Sequence, residues 1–105
     1  RMTSEHRPST PSDRAEVDRQ IATIRERMDA LDARLVALLN ERASCAREIG
    51  VLKDAVGLEV YQPGREIEVL NHVRAHNDGP LNAEAITRVF ERIIDEARRL
   101  ECAKD

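Results

Sequence analysis

The chain has 105 residues, 41% hydrophobic and 35% charged, with a formal net charge of −3. That size fits one small domain near the lower limit for an independent core, and the slight acidity gives no reason to expect nucleic acid as a partner. No apolar run approaches the roughly 18 residues of a membrane span, and the polar first 13 residues, with Pro8 and Pro11, carry no signal-peptide pattern. A cytoplasmic protein with no membrane partner is the expectation.

Residues 1–12 are rich in Ser, Thr and Pro and read as a disordered arm, leaving 13–105 as the folded domain. Ser12 or Asp13 can cap a first helix that runs to about Asp54, with Glu16 in its dipole-favoured first turn. Steps of three and four along this helix give Val17, Ile21, Ile24, Met28, Leu31, Leu35, Leu38, Arg42, Cys45, Ile49 and Leu52. The period is heptad-like, and one arginine interrupts an otherwise apolar seam. At 1.5 Å per residue such a helix would be roughly 60 Å long, longer than a domain of this size is wide. Gly50 is a tolerated weak point near its end.

Ala55–Gln62 reads as a connector, and Pro63 opens a second helix, Pro63–His76, at a position where a missing N–H costs nothing. Ile67, Leu70 and Val73 form its expected apolar face. Asn77-Asp78-Gly79-Pro80 is a stop-and-turn signal, and Asn82 caps a third helix over Ala83–Cys102. The stripe of that helix is Ile86, Val89, Phe90, Ile93, Ile94 and Ala97, continuing to Glu101. No strand alternation appears, so the expected class is all-α, three helices with one very long. Two shorter helices can flank only part of the first, and aromatic residues make up only 2%. The rest of the seam calls for a second copy of the chain, in an intertwined helical homodimer.

Cys45 and Cys102 lie in helical patterns, and buried reduced thiols are the reading that fits them. His72 and His76 are four apart, but no further ligands complete a metal set, so no metal is expected.

Several charged residues stand where the pattern does not need them. Arg42 on an apolar seam is either a specificity residue paired with a carboxylate on a partner helix or a guanidinium lining a pocket for an anion. Lys53, eleven residues on, points within about 20° of Arg42 and lies roughly 16 Å along the axis, so the two can address opposite ends of one small molecule. Arg25 is roughly 25 Å from Arg42, too far to grip the same molecule; it is either an exposed arginine among Glu26, Arg27 and Asp29 or a residue serving a different pocket, which in an antiparallel dimer belongs to the other subunit. Arg65 and Glu66 share the first turn of the second helix; the acid suits the dipole and the arginine opposes it. Glu101 extends the third helix's stripe, as a fraying end or as an acid facing the same pocket.

These residues fall in runs that resemble the all-helical AroQ class of chorismate mutases. The runs are Ile24-Arg25-Glu26-Arg27-Met28-Asp29-Ala30-Leu31-Asp32, Leu38-Leu39-Asn40-Glu41-Arg42, Ile49-Gly50-Val51-Leu52-Lys53, Val60-Tyr61-Gln62-Pro63-Gly64-Arg65-Glu66 and Ile86-Thr87-Arg88-Val89-Phe90. The resemblance covers roughly residues 17–102. It implies a three-helix protomer in an intertwined dimer that converts chorismate to prephenate, towards phenylalanine and tyrosine. It implies substrate contacts from Arg42, Lys53, Arg65, Glu66 and Gln62, with Arg25 supplied by the neighbouring subunit.

The implied chemistry is an intramolecular pericyclic step that needs no cofactor, nucleophile or metal. Arg25 and Arg42 would hold the two carboxylates, and Lys53 would donate to the ether oxygen, where negative charge develops. Glu66 would accept from the ring hydroxyl, with Arg65 ordering the connector on that side.

Three positions depart from many relatives. Gln62 stands where an acid is common, Ala97 where some carry serine, and Glu101 where some carry glutamine as second donor to the ether oxygen. A carboxyl donates only when protonated, so activity favouring low pH goes with Glu101 in that role. The alternatives are an isochorismate-pyruvate lyase, which forms salicylate in a similar pocket, and a non-catalytic helical dimerisation or regulatory module. The presence of Arg25, Arg42, Lys53, Arg65 and Glu66 together argues against the latter.

Overall fold

A computed structural model describes residues 11–102. Three helices follow in order, α1 (Pro11–Val56), α2 (Pro63–His76) and α3 (Ala83–Cys102). The expected bounds of α2 and α3 match these ranges. α1 starts earlier than expected: Pro11 opens it, so Ser12 and Asp13 lie inside its first turn rather than capping it. The arm expected over 1–12 thus lies outside the described residues up to position 10, and its last two residues are helical.

The chain divides into two units, one ending at Leu38 and one beginning at Leu39. In the first, the described residues are a stretch of α1 whose apolar seam is exposed. Ile21, Ile24, Met28, Leu31, Leu35 and Leu38 are each 40–56% exposed. Its visible stabilisation is local, such as Arg19 and Gln20 both donating to Glu16 at 2.6 and 2.9 Å. Those two bonds hold the Glu16 carboxyl below its ordinary pKa.

The second unit holds the C-terminal part of α1 together with α2 and α3. α1 ends at Val56, and the next residue, Gly57, has a φ of +71°, a left-handed conformation glycine adopts without a Cβ penalty. Leu58 N donates to Lys53 O at 2.8 Å and Gly57 N to Asp54 O at 3.3 Å, the paired bonds of a Schellman motif. Pro63 starts α2, and Gln62 O accepts from Arg65 N (3.0 Å) and Glu66 N (3.3 Å). Asn77 shapes the turn before α3 by donating to Leu81 O at 2.7 Å. The expected cap of α3 is present, since Asn82 Oδ1 accepts from Ala85 N at 2.8 Å. Arg74 ties α2 to α3 through Thr87 Oγ1 at 2.9 Å.

The face of α1 that meets α3 is not the apolar seam. It carries Ala46 and Gly50, both buried, while Ile49 and Leu52 on the seam stay 45% and 67% exposed. Gly50 is more than a tolerated weak point: a Cβ built there would lie 2.9 Å from Glu101 Cα and 3.0 Å from Glu101 O. Only a residue without a side chain lets the two backbones approach this closely. On α2 the buried residue is Val69, and Ile67 is 59% exposed. The inward stripe begins at the half-buried Glu66 and continues through Val69, Leu70 and Val73. Counting apolar residues alone starts the stripe one position late. Both cysteines are free, as expected, but exposed rather than buried.

Candidate active site

The second unit encloses a cavity of about 330 Å³ between the end of α1, the connector, α2 and α3. Arg42, Lys53, Gln62, Arg65, Glu66 and Glu101 all line it, as do apolar Ile49, Val69 and Ile94. Six of the seven positions singled out from sequence therefore meet at one place. The seventh, Arg25, belongs to the first unit, where it is exposed, and is not among the lining residues.

Lys53 is held firmly. Its Nζ donates to Glu101 Oε1 at 3.1 Å and to the Val60 carbonyl at 3.2 Å, and the two paired side chains are only 14% and 15% exposed. An ammonium has three N–H donors, so this arrangement orients the amine and leaves one donor for a ligand. The bond to Val60 fixes the connector, and the close approach at Gly50 brings the α3 backbone near enough for Glu101 to reach Lys53. Local geometry thus explains why a lysine in the last turn of α1 turns inward.

Arg42 is half-buried at the cavity, and among the described residues its guanidinium has no hydrogen-bond or ion-pair partner. A carboxylate partner for Arg42 is thus absent among the described residues. An uncommitted fork of donors facing a cavity suits a ligand carboxylate.

Arg65 and Gln62 sit at the exposed rim. Arg65 Nη1 bonds Glu68 Oε1 at 3.3 Å, on the surface of α2. The connector is held instead by Lys53 and by Arg98, whose guanidinium carbon lies 4.9 Å from the centroid of the Tyr61 ring. Gln62 caps α2 through its backbone with no side-chain cap bond, so its amide is not committed to the helix end.

Arg98 is the site residue that the sequence reading missed. It lines the cavity, and its Nη2 donates to Glu66 Oε2. The signal was present: Arg98 follows Ile94 by four residues and so extends the α3 stripe, as Arg42 extends the seam of α1. Following the stripe from Ala97 to Glu101 passed it by. Glu66 thus has one oxygen engaged by Arg98, and Oε1 has no partner among the described residues.

The cavity presents four cations (Arg42, Lys53, Arg65 and Arg98) against two carboxylates (Glu66 and Glu101), a surplus of two positive charges. A small dianion fits that balance, and the volume falls within the usual range for a small-molecule site.

The chain is similar to known proteins in sequence and fold. The model for type II chorismate mutases matches residues 24–102. The chain is 38% identical over 87 residues to a bifunctional chorismate mutase/prephenate dehydratase from Stutzerimonas stutzeri; the match takes in 78% of this chain and 24% of that one. The chain therefore spans about a quarter of that relative's length. Among solved structures, the form II chorismate mutase of Thermus thermophilus superposes with a TM-score of 0.79 at 35% identity, covering 82% of this chain and 98% of that one. A chorismate mutase from Helicobacter pylori, in complex with prephenate, gives a TM-score of 0.72 at 28% identity over 78% of this chain and 89% of that one. On the breadth of the family match and the identity to these relatives, the chain belongs to the type II chorismate mutase family.

Proposed function

We propose that the chain catalyses the rearrangement of chorismate to prephenate in the cavity bounded by Arg42, Lys53, Glu66 and Glu101. The observation that carries this reading is the uncommitted Arg42 facing the same cavity as an oriented Lys53 with a donor to spare. Chorismate bears two carboxylates, and its rearrangement breaks an ether C–O bond as a new C–C bond forms within the same molecule. The protein needs to hold the compact reactive conformer and set fixed positive charge at the oxygen where negative charge grows. Arg42 takes one carboxylate, Lys53 and Glu101 face the ether oxygen, and Glu66 accepts from the ring hydroxyl. Arg65 and Gln62 complete the rim on the α2 side.

The second carboxylate falls to Arg25 of another copy. The exposed seam supports this, because contiguous apolar surface of that extent on a small chain marks an interaction face. Two copies joined along it form the homodimer, and each lends Arg25 to the other's cavity.

The test follows chorismate by ultraviolet absorbance with product identification. Loss of chorismate with prephenate formed is expected. Salicylate and pyruvate from isochorismate, without prephenate from chorismate, would assign the pocket to the lyase reaction instead. A chain that leaves both substrates unchanged would make it a non-catalytic module.

A further inference from the structure

Arg98 has no part in the roles above, yet it is held from three sides. It stands on α3, about one third exposed. It donates to Glu66 Oε2, lies 3.9 Å from Asp95 Oδ1, and covers the face of Tyr61 with 4.9 Å from guanidinium carbon to ring centroid. The bond to Glu66 is the main reason its pKa rises further above an already high value, against the opposing effect of desolvation. The contacts join three segments: α3 through Arg98 itself, the connector through Tyr61, and the first turn of α2 through Glu66.

We propose that Arg98 is a positioning residue. It holds Glu66 by Oε2, so that Oε1 is presented to the ring hydroxyl of the substrate, and the Tyr61 ring holds Arg98 in turn. This rests on the chorismate mutase reading and adds a residue to it.

Three physical points support the role. A charge-assisted bond is roughly twice as strong as a neutral one, so it can fix a carboxylate rotamer at the mouth of an otherwise mobile side chain. A bare carboxylate beside a dianionic substrate would repel it, whereas Glu66 with Arg98 is a neutral pair. As a mere fold-stabilising contact the pair would do little, since ion pairs this exposed are weakened by solvent screening.

A double-mutant cycle tests the proposal in the full chain, using Arg98→Met, Glu66→Gln and the double variant, with kcat and KM for chorismate measured for each. Arg98→Met is expected to lower kcat/KM on the order of tenfold, chiefly by raising KM, because the pair acts on bound substrate before the transition state as well as in it. In the Glu66→Gln background, where there is no carboxylate to hold or neutralise, the same change is expected to alter kcat/KM by less than about twofold. Arg98→Lys, which keeps a charge within reach of Glu66, is expected to recover most of the loss. Equal losses in the two backgrounds, or an Arg98→Met chain with unchanged kcat/KM, would overturn the proposal. Should Arg98→Met lose its helical circular dichroism, Arg98→Gln takes its place in the same cycle with the same two outcomes. A wild-type chain without mutase turnover overturns the functional reading itself, whereas an active wild type with an additive cycle overturns the role of Arg98 alone.

Discussion

Between Ile21 and Leu38, every large apolar residue of the α1 seam is at least 40% exposed, whereas the unit beginning at Leu39 buries Ala46, Gly50 and Val69 and closes a cavity with charged pairs. The same helix therefore carries two kinds of surface. One is broad, aliphatic and exposed. The other is narrow and built from small residues, and it lets α3 approach until Glu101 reaches Lys53. The contrast teaches that large side chains here are left outward, free for the proposed association, while small ones set the geometry of the site.

Breaking the first surface should have the largest effect. Leu31→Glu places a charge in the middle of the seam, and its burial against a second copy would cost on the order of 3 kcal/mol or more. The expected outcome is loss of the dimer by light scattering, with reduced helical circular dichroism and no turnover. A variant that keeps its mass and activity would mean that the seam is not the interface.

Lys53→Ala attacks the second surface at its most anchored point. Removing a donor aimed at developing charge typically costs on the order of 10²-fold or more in kcat. The helices and the dimer should persist, since the seam is untouched. Full activity in this variant would refute the site assignment.

Gly50→Ala sharpens the contrast because two principles predict opposite signs. Helix propensity alone favours alanine by about 1 kcal/mol. Against it, the new Cβ would meet backbone atoms of Glu101 at 2.9–3.0 Å, and backbone cannot rotate aside as a flexible side chain would. Overpacking of this kind costs about 1–3 kcal/mol. A lower thermal midpoint and weaker turnover are expected, whereas a higher midpoint would show that the small-residue face is not tight.

The smallest change is Glu101→Gln. An amide keeps an oxygen that can accept from Lys53 Nζ and adds an N–H donor, so turnover is expected to hold or rise with the helices unchanged. A loss as deep as that of Lys53→Ala would show that the site needs the carboxylate's charge and remove Glu101 from a donor role at the ether oxygen.

Much of this was legible in the residues. Periodicity placed the three helices, Pro63 and Asn82 marked two starts, misplaced charges pointed to Arg42, Lys53, Arg65 and Glu101, and the family resemblance added Glu66 and Gln62. What periodicity could not show was which face of α1 turns towards its own chain. Apolar counting favours the seam, but the intrachain contact uses Ala46 and Gly50, whose small size matters only once the neighbouring backbone is in view. For the same reason Val69 was overlooked, because its stripe starts with the carboxylate Glu66, and Arg98, because the α3 stripe could be extended through either of two charged residues. Arg25 was pointed to by the family resemblance, with helix arithmetic adding only that it lies too far from Arg42 to share its ligand.

The central claim is that one helix serves two sites, with Lys53 acting in its own chain and Arg25 in the partner. The most direct measurement is subunit complementation. Arg25→Ala and Lys53→Ala chains, each inactive alone, are unfolded together and refolded as an equal mixture. About half of the dimers are then mixed, and in each one site carries both lesions while the other is intact, so recovery to about a quarter of wild-type turnover is predicted. A mixture no more active than its two parents would contradict the account.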